Sequence, residues 1–147
     1  MIQISVDCDP SLETPNHYLA KEITQTVLKG HGISECDLSL IFGSDELLSS
    51  LKKEFFHKDQ WTDVIAFRLN DYKENSVEGE IYISLPRASE NAKQFDEPFE
   101  KEVARLIIHG SLHLLGFEDE TEEEKIEMTK MENDFLSQLD WQTLFEH

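Results

Sequence analysis

His109 and His113 lie four residues apart in Val103–Phe117, a run whose apolar character is interrupted only by Arg105, the two histidines and Ser111. A helix that is apolar nearly all round is buried on most sides, and positions four apart share one of its faces. Two neighbouring buried imidazoles are costly unless each nitrogen finds a partner. A shared metal ion serves both, and zinc accepts histidine nitrogen at about 2.0–2.1 Å. Gly116 falls where a left-handed cap would end the helix and reverse the chain. Such a reversal brings Asp119 back toward the imidazoles and completes His-x3-His-x5-Asp. Three protein ligands leave a fourth position for water, which is the catalytic arrangement of zinc. Glu118 and Glu120 are rival third ligands. Single histidines on buried helices usually bond to backbone, so the spacing alone is weak; the glycine turn and the carboxylate beyond it strengthen it. One zinc per chain is the expected cofactor, and nickel suits the same nitrogen and oxygen donors.

Gly110 follows the first histidine, where a zincin peptidase carries its glutamate base, so a metallopeptidase reading lacks its proton acceptor. Glycine inside a helix costs about 1 kcal/mol relative to alanine, which suggests that another backbone approaches closely there. Asp59 and Asp63 are candidate general bases, although an aspartate beside Thr62 at a strand start also suits a turn or cap. Lys53, Lys58 and Arg68 are candidate phosphate-binding cations, with solvated surface charge as the alternative. Among the acids of 118–124, Glu122, Glu123 and Glu124 are explained as a helix start, where Thr121 and Glu124 form a capping box.

The elements that must position these residues follow from periodicity. Ile2, Ile4 and Val6 alternate as a strand, and Leu19, Ile23 and Val27 recur at helical spacing from Asn16 to about Lys29. Leu38, Leu40 and Phe42 alternate again, and Asp45 can cap a helix through Leu47, Leu48, Leu51 and Phe55. Val64–Phe67 and Glu80–Ser84 read as strands separated by a polar loop at 70–79. A short helix begins at Pro86 and runs to about Phe95. Two longer ones span about Pro98–Leu115 and Glu122–Leu139. Strands and helices mix without regular alternation, which predicts an α+β single-domain layer sandwich of about four strands in a mixed sheet and about five helices.

The 147 residues suit one domain, and hydrophobic residues at 39% supply a core without cross-links. Cys8 and Cys36 lack metal spacing and read as small buried residues of a reducing compartment. With no long apolar run and no leader-like start, the expectation is a cytoplasmic protein without a membrane partner. The net charge of −18 opposes nonspecific coating by RNA or DNA, and residues 118–147 hold 11 acids against 2 bases. The stretch around Lys52, Lys53, Lys58 and Arg68 is nearer neutrality and leaves room for a local phosphate-tolerant groove. A protein this acidic is suited to meet a basic protein partner.

His109-Gly-Ser-Leu-His113-Leu-Leu-Gly116-Phe117 resembles the H-G-x-L-H-L-x-G-Y-D-H signature of the bacterial YbeY family of endoribonucleases and rRNA maturation factors. Asp59–Phe67 is similar to that family's D-x-x-T-D/N-V-L-S-F, and Gly79–Ser84 to its G-D-I-x-I-S. Together these cover roughly residues 45–120. The resemblance implies one α+β domain, one zinc held by three motif residues, and action on RNA at the 3′ end of small-subunit rRNA and in ribosome quality control. It implies contact with the small ribosomal subunit, with a basic ribosomal protein as a further partner and no DNA substrate. His109 and His113 then match the first two ligands, and Asp119 stands where the family usually has a third histidine. Near Phe56-His57-Lys58 the family commonly carries an arginine; Lys58 or His57 would take its place if that arginine grips phosphate. The alternative function is a ribosome-assembly factor whose metal is structural.

Overall fold

The computed structural model describes residues 1–58 and 61–147; the candidate base Asp59 lies outside them. Four strands, β1 (Ile2–Cys8), β2 (Glu35–Gly43), β3 (Val64–Arg68) and β4 (Ser76–Ser84), form a mixed sheet in the order β1-β2-β4-β3. β1, β2 and β4 run parallel, and β3 lies antiparallel on the edge, with Val6 opposite Leu40, Leu40 opposite Ile81, and Ile81 opposite Ala66. Side chains alternate across the pleat, so Ile4, Val6, Leu38, Leu40, Phe42, Val77, Ile81 and Ile83 are buried on one face.

That face is covered by α1 (His17–Gly30) and α4 (Phe99–Leu114), whose buried Ile23, Val27, Ile107, Ile108 and Leu112 join the same core. α3 (Leu85–Gln94) and α5 (Glu122–Gln138) flank α4, and α2 (Asp45–Phe56) packs against β3, β4 and α3. Among the described residues this makes five helices on one four-stranded sheet, the expected single α+β domain. No described helix is long and apolar enough to cross a membrane. Cys8 and Cys36 are free thiols, half-buried and buried.

Three local expectations change. α2 is capped by Ser44, whose hydroxyl accepts from the Leu47 N–H at 3.2 Å. Asp45 instead accepts from the Ser84 hydroxyl at 2.6 Å and pairs with Arg87 at 3.1 Å, tying α2 to the start of α3. β4 begins at Ser76, four residues before Glu80, because Val77 and Gly79 already alternate inward. Gly110 admits a side chain rather than a backbone: an added Cβ would lie 2.7 Å from Ile81 Cγ2 and 3.3 Å from Val64 Cγ2. The glycine therefore lets α4 sit directly on β3 and β4, which sets the height of the histidines above the sheet.

Candidate metal centre

α4 carries His109 and His113 one turn apart at its C-terminal end, with ring centroids 4.5 Å apart and the two Nε2 atoms 2.9 Å apart. The helix stops at Leu114, and Gly116 at φ +100° turns the chain back in a conformation that disfavours a side chain. The reversal delivers Asp119, whose carboxylate oxygens lie 3.2 Å from His109 Nε2 and 3.5 Å from His113 Nε2. The three groups offer ligand atoms that all fall within 4.8 Å of one another. Tetrahedral zinc with bonds of about 2.0–2.1 Å spaces its ligands by about 3.3 Å. The observed separations bracket that value, so these donors fit such an ion. Glu118 and Glu120, the rival ligands, are exposed.

Behind the donors lies a polar chain anchored on the buried Glu102 and Glu132. His109 Nδ1 is 2.7 Å from Glu132 Oε2, and the other oxygen of Glu132 accepts from Arg105 at 3.1 Å. Arg105 also donates to Asn133 at 3.0 Å and lies 4.0 Å from Glu102. Asn91 Nδ2 donates to Glu102 at 3.2 Å and to Asp63 at 3.0 Å. Burial by itself would hold the His109 ring neutral; the Glu132 carboxylate at Nδ1, helped by Asp119 and Asp63, outweighs it and raises the ring's pKa above 6.5. Burial raises the Glu102 carboxyl above 4.5 against the opposing Asn91 hydrogen bond. Asp63, Glu102, Arg105, His109, Asp119 and Glu132 all line one small cavity of about 250 Å³.

Lys58 lies on the other side of the cluster. With Lys52, Phe56, Tyr72, His113 and Asp119 it borders a groove of about 390 Å³. Lys53 is exposed on α2. Arg68 has a different setting: its guanidinium donates to Asn70 Oδ1 at 2.5 Å and to the carbonyls of Leu114, Asp71 and Ser76 at 2.6, 2.9 and 3.1 Å. Four of its five N–H groups are thus spent closing the end of α4 and bracing the β3–β4 loop. Glu132 and its Arg105 clamp were not anticipated from sequence. Met128, Glu132 and Leu136 are spaced by four and all buried, so an acid set into the apolar stripe of α5 was the available signal.

The family model described as Endoribonuclease YbeY matches residues 7–140. The chain belongs to the YbeY endoribonuclease family. It is 39% identical over 127 residues to Endoribonuclease YbeY of Chloroherpeton thalassium, covering 86% of this chain and 88% of that one. To Endoribonuclease YbeY of Halalkalibacterium halodurans it is 35% identical over 150 residues, covering 92% and 94%. The solution structure of TM1509 from Thermotoga maritima superposes with a TM-score of 0.62 at 29% identity, over 93% of this chain and 87% of that one. Membership in this YbeY family brings nuclease hydrolase activity on RNA, and the His109–His113–Asp119 cluster is the group within the described residues that could hold its metal.

Proposed function

We propose that this chain is a zinc-dependent endoribonuclease that cuts single-stranded RNA in maturation of the small-subunit rRNA 3′ end and in ribosome quality control. It works in the cytoplasm on the small ribosomal subunit, where its acidic surface meets a basic ribosomal protein. The convergence of His109 Nε2, His113 Nε2 and the Asp119 carboxylate within 4.8 Å carries the proposal. When bound, the ion supplies Lewis acidity and an acidified water. The residues around it do the rest. Glu132 at His109 Nδ1 would hold the ring's proton there, leaving Nε2 to serve the ion. Asp63 lines the adjacent cavity with its carboxylate held by Asn91, and would accept the proton. Lys58 in the neighbouring groove offers a cation to phosphate. Arg68, braced on backbone carbonyls, steadies the β3–β4 loop that carries Tyr72 and is a second cation for the substrate phosphates.

The alternative, an assembly factor with a structural metal, differs in what metal loss does. The core of α1, α4 and the sheet is apolar and closes without the cluster. Asp119→Ala is therefore expected to lose metal, by elemental analysis, and RNA cleavage, while circular dichroism stays that of the wild type. Glu118→Ala and Glu120→Ala are expected to keep both. Unfolding of Asp119→Ala would favour the structural metal, and full cleavage without metal would end the catalytic reading.

A further inference from the structure

The groove beside the cluster has a mixed lining: the acids Glu118, Asp119 and Glu120 in the loop after α4, and Lys52, Lys58, Phe56 and Tyr72. The two rings are 42% and 57% exposed. Both are held by neighbours. Phe56, the last residue of α2, stacks on Phe67 at 5.9 Å with an interplanar angle of 24°, and the Lys52 ammonium lies 4.9 Å from its centroid. Tyr72, in the β3–β4 loop, rests over the Gly116 turn, where a Cβ would come within 3.5 Å of its ring. The Arg68 guanidinium lies 4.9 Å from the Tyr72 centroid. Rings held in place yet open to solvent cost little ordering when a flat partner arrives.

We infer that Phe56 and Tyr72 are base-stacking platforms for an unpaired RNA strand, with Lys52 and Lys58 meeting its phosphates as it crosses the groove toward His113 and Asp119. This rests on the endoribonuclease reading above and adds to it the residues that select the strand. Every base has a π-face, so stacking captures RNA without demanding sequence, and only a base outside a duplex presents that face. Stacking also supplies affinity that a chain of net charge −18 cannot draw from its overall field. A basic peptide, the other occupant these acids suggest, would leave the lysines and the rings unmatched.

The test uses the zinc-loaded full chain and a labelled, unstructured oligoribonucleotide in a fluorescence anisotropy titration. Phe56→Leu and Tyr72→Leu keep apolar bulk and remove the ring; each is expected to weaken binding about 5- to 100-fold with zinc content unchanged. Phe56→Tyr and Tyr72→Phe keep the ring and are expected to bind near the wild-type level, and a blunt duplex of the same length to bind more weakly than the single strand. Wild-type affinity in both leucine variants, equal affinity for duplex, or displacement of the RNA by a lysine-rich peptide at the groove would overturn the inference while cleavage by the wild type still upheld the nuclease reading. A wild-type chain that neither binds nor cuts the oligonucleotide would bring down both.

Discussion

Replacing Glu132 separates the work of the metal donors from the work of what holds them. Its carboxylate receives His109 Nδ1 at 2.7 Å on one oxygen and Arg105 at 3.1 Å on the other. Glu132→Gln keeps an acceptor for Nδ1–H but removes the charge that makes Nε2 a stronger donor. Partners of this kind contribute about 10- to 100-fold to metal affinity, which corresponds to about 1.4–2.7 kcal/mol. Glu132→Ala removes the acceptor as well and should reach the upper end. The fold should survive either change. Breaking a fully buried ion pair costs about 3–5 kcal/mol, but the Arg105 side chain is 24% exposed and retains Asn133 at 3.0 Å, so the loss falls below that range. Competition between the protein and a chromophoric zinc chelator reads the affinity, and urea denaturation of the metal-free protein reads the stability. Zinc affinity equal to wild type in both variants would refute the claim that Glu132 orients His109 for a metal, leaving it a tie between α4 and α5.

Two further substitutions test the scaffold. Gly110→Ala gains about 1 kcal/mol of helix propensity but places a methyl 2.7 Å from Ile81 Cγ2, inside the core. Overpacking of this kind costs about 1–3 kcal/mol, so a net loss in urea denaturation is expected, and a more stable variant would show that α4 lifts freely from the sheet. Glu102→Gln tests the buried acid. Its pKa is raised in the folded chain, so its stabilising contribution is full below its ordinary 4.5 and is lost as pH rises through the folded value. The glutamine variant should therefore melt above the wild type at neutral pH and converge with it in acid; a constant gap across that span would refute the shift.

Much of this arrangement was written into local pattern. Ile2, Ile4 and Val6 alternate because one face of β1 is buried, and the same logic placed Leu38, Leu40 and Phe42. The metal donors were legible because they are close in sequence: a helical spacing of four, a glycine whose φ of +100° ends the helix, and an acid just beyond. The capping box of Thr121 and Glu124 was equally local. The residues that escaped notice are those whose partners are distant. Glu132 meets His109 across 23 positions and Asn91 meets Asp63 across 28, and no periodicity encodes such pairs. Arg68 was legible as a cation but not as a brace, because its bond to the Leu114 carbonyl, 46 residues away, depends on how β3 abuts the end of α4. Ser44 displaced Asp45 as a cap for the same reason: Asp45 is claimed by Ser84 and Arg87, both remote in the chain.

The acidity of the chain and a role on RNA are reconciled by where the charge is spent. In the small cavity Asp119 faces the imidazoles, Glu132 is neutralised by Arg105 and by the His109 N–H, and Glu102 has its pKa raised by burial. These acids are turned inward on the cluster, where a divalent cation would offset them. Glu122, Glu123 and Glu124 are exposed in the first turn of α5, where the helix dipole favours them. Solvent screening weakens exposed charges beyond about 8 Å at physiological ionic strength, so such acids act mainly on their own surroundings. A strand in the proposed groove would meet Phe56, Tyr72, Lys52 and Lys58, with Glu118 and Glu120 also in its lining. On the proposed reading, selectivity for a single RNA strand follows from the shape and chemistry of one groove rather than from the sign of the whole molecule, and an acidic exterior disfavours adhesion of other RNA elsewhere.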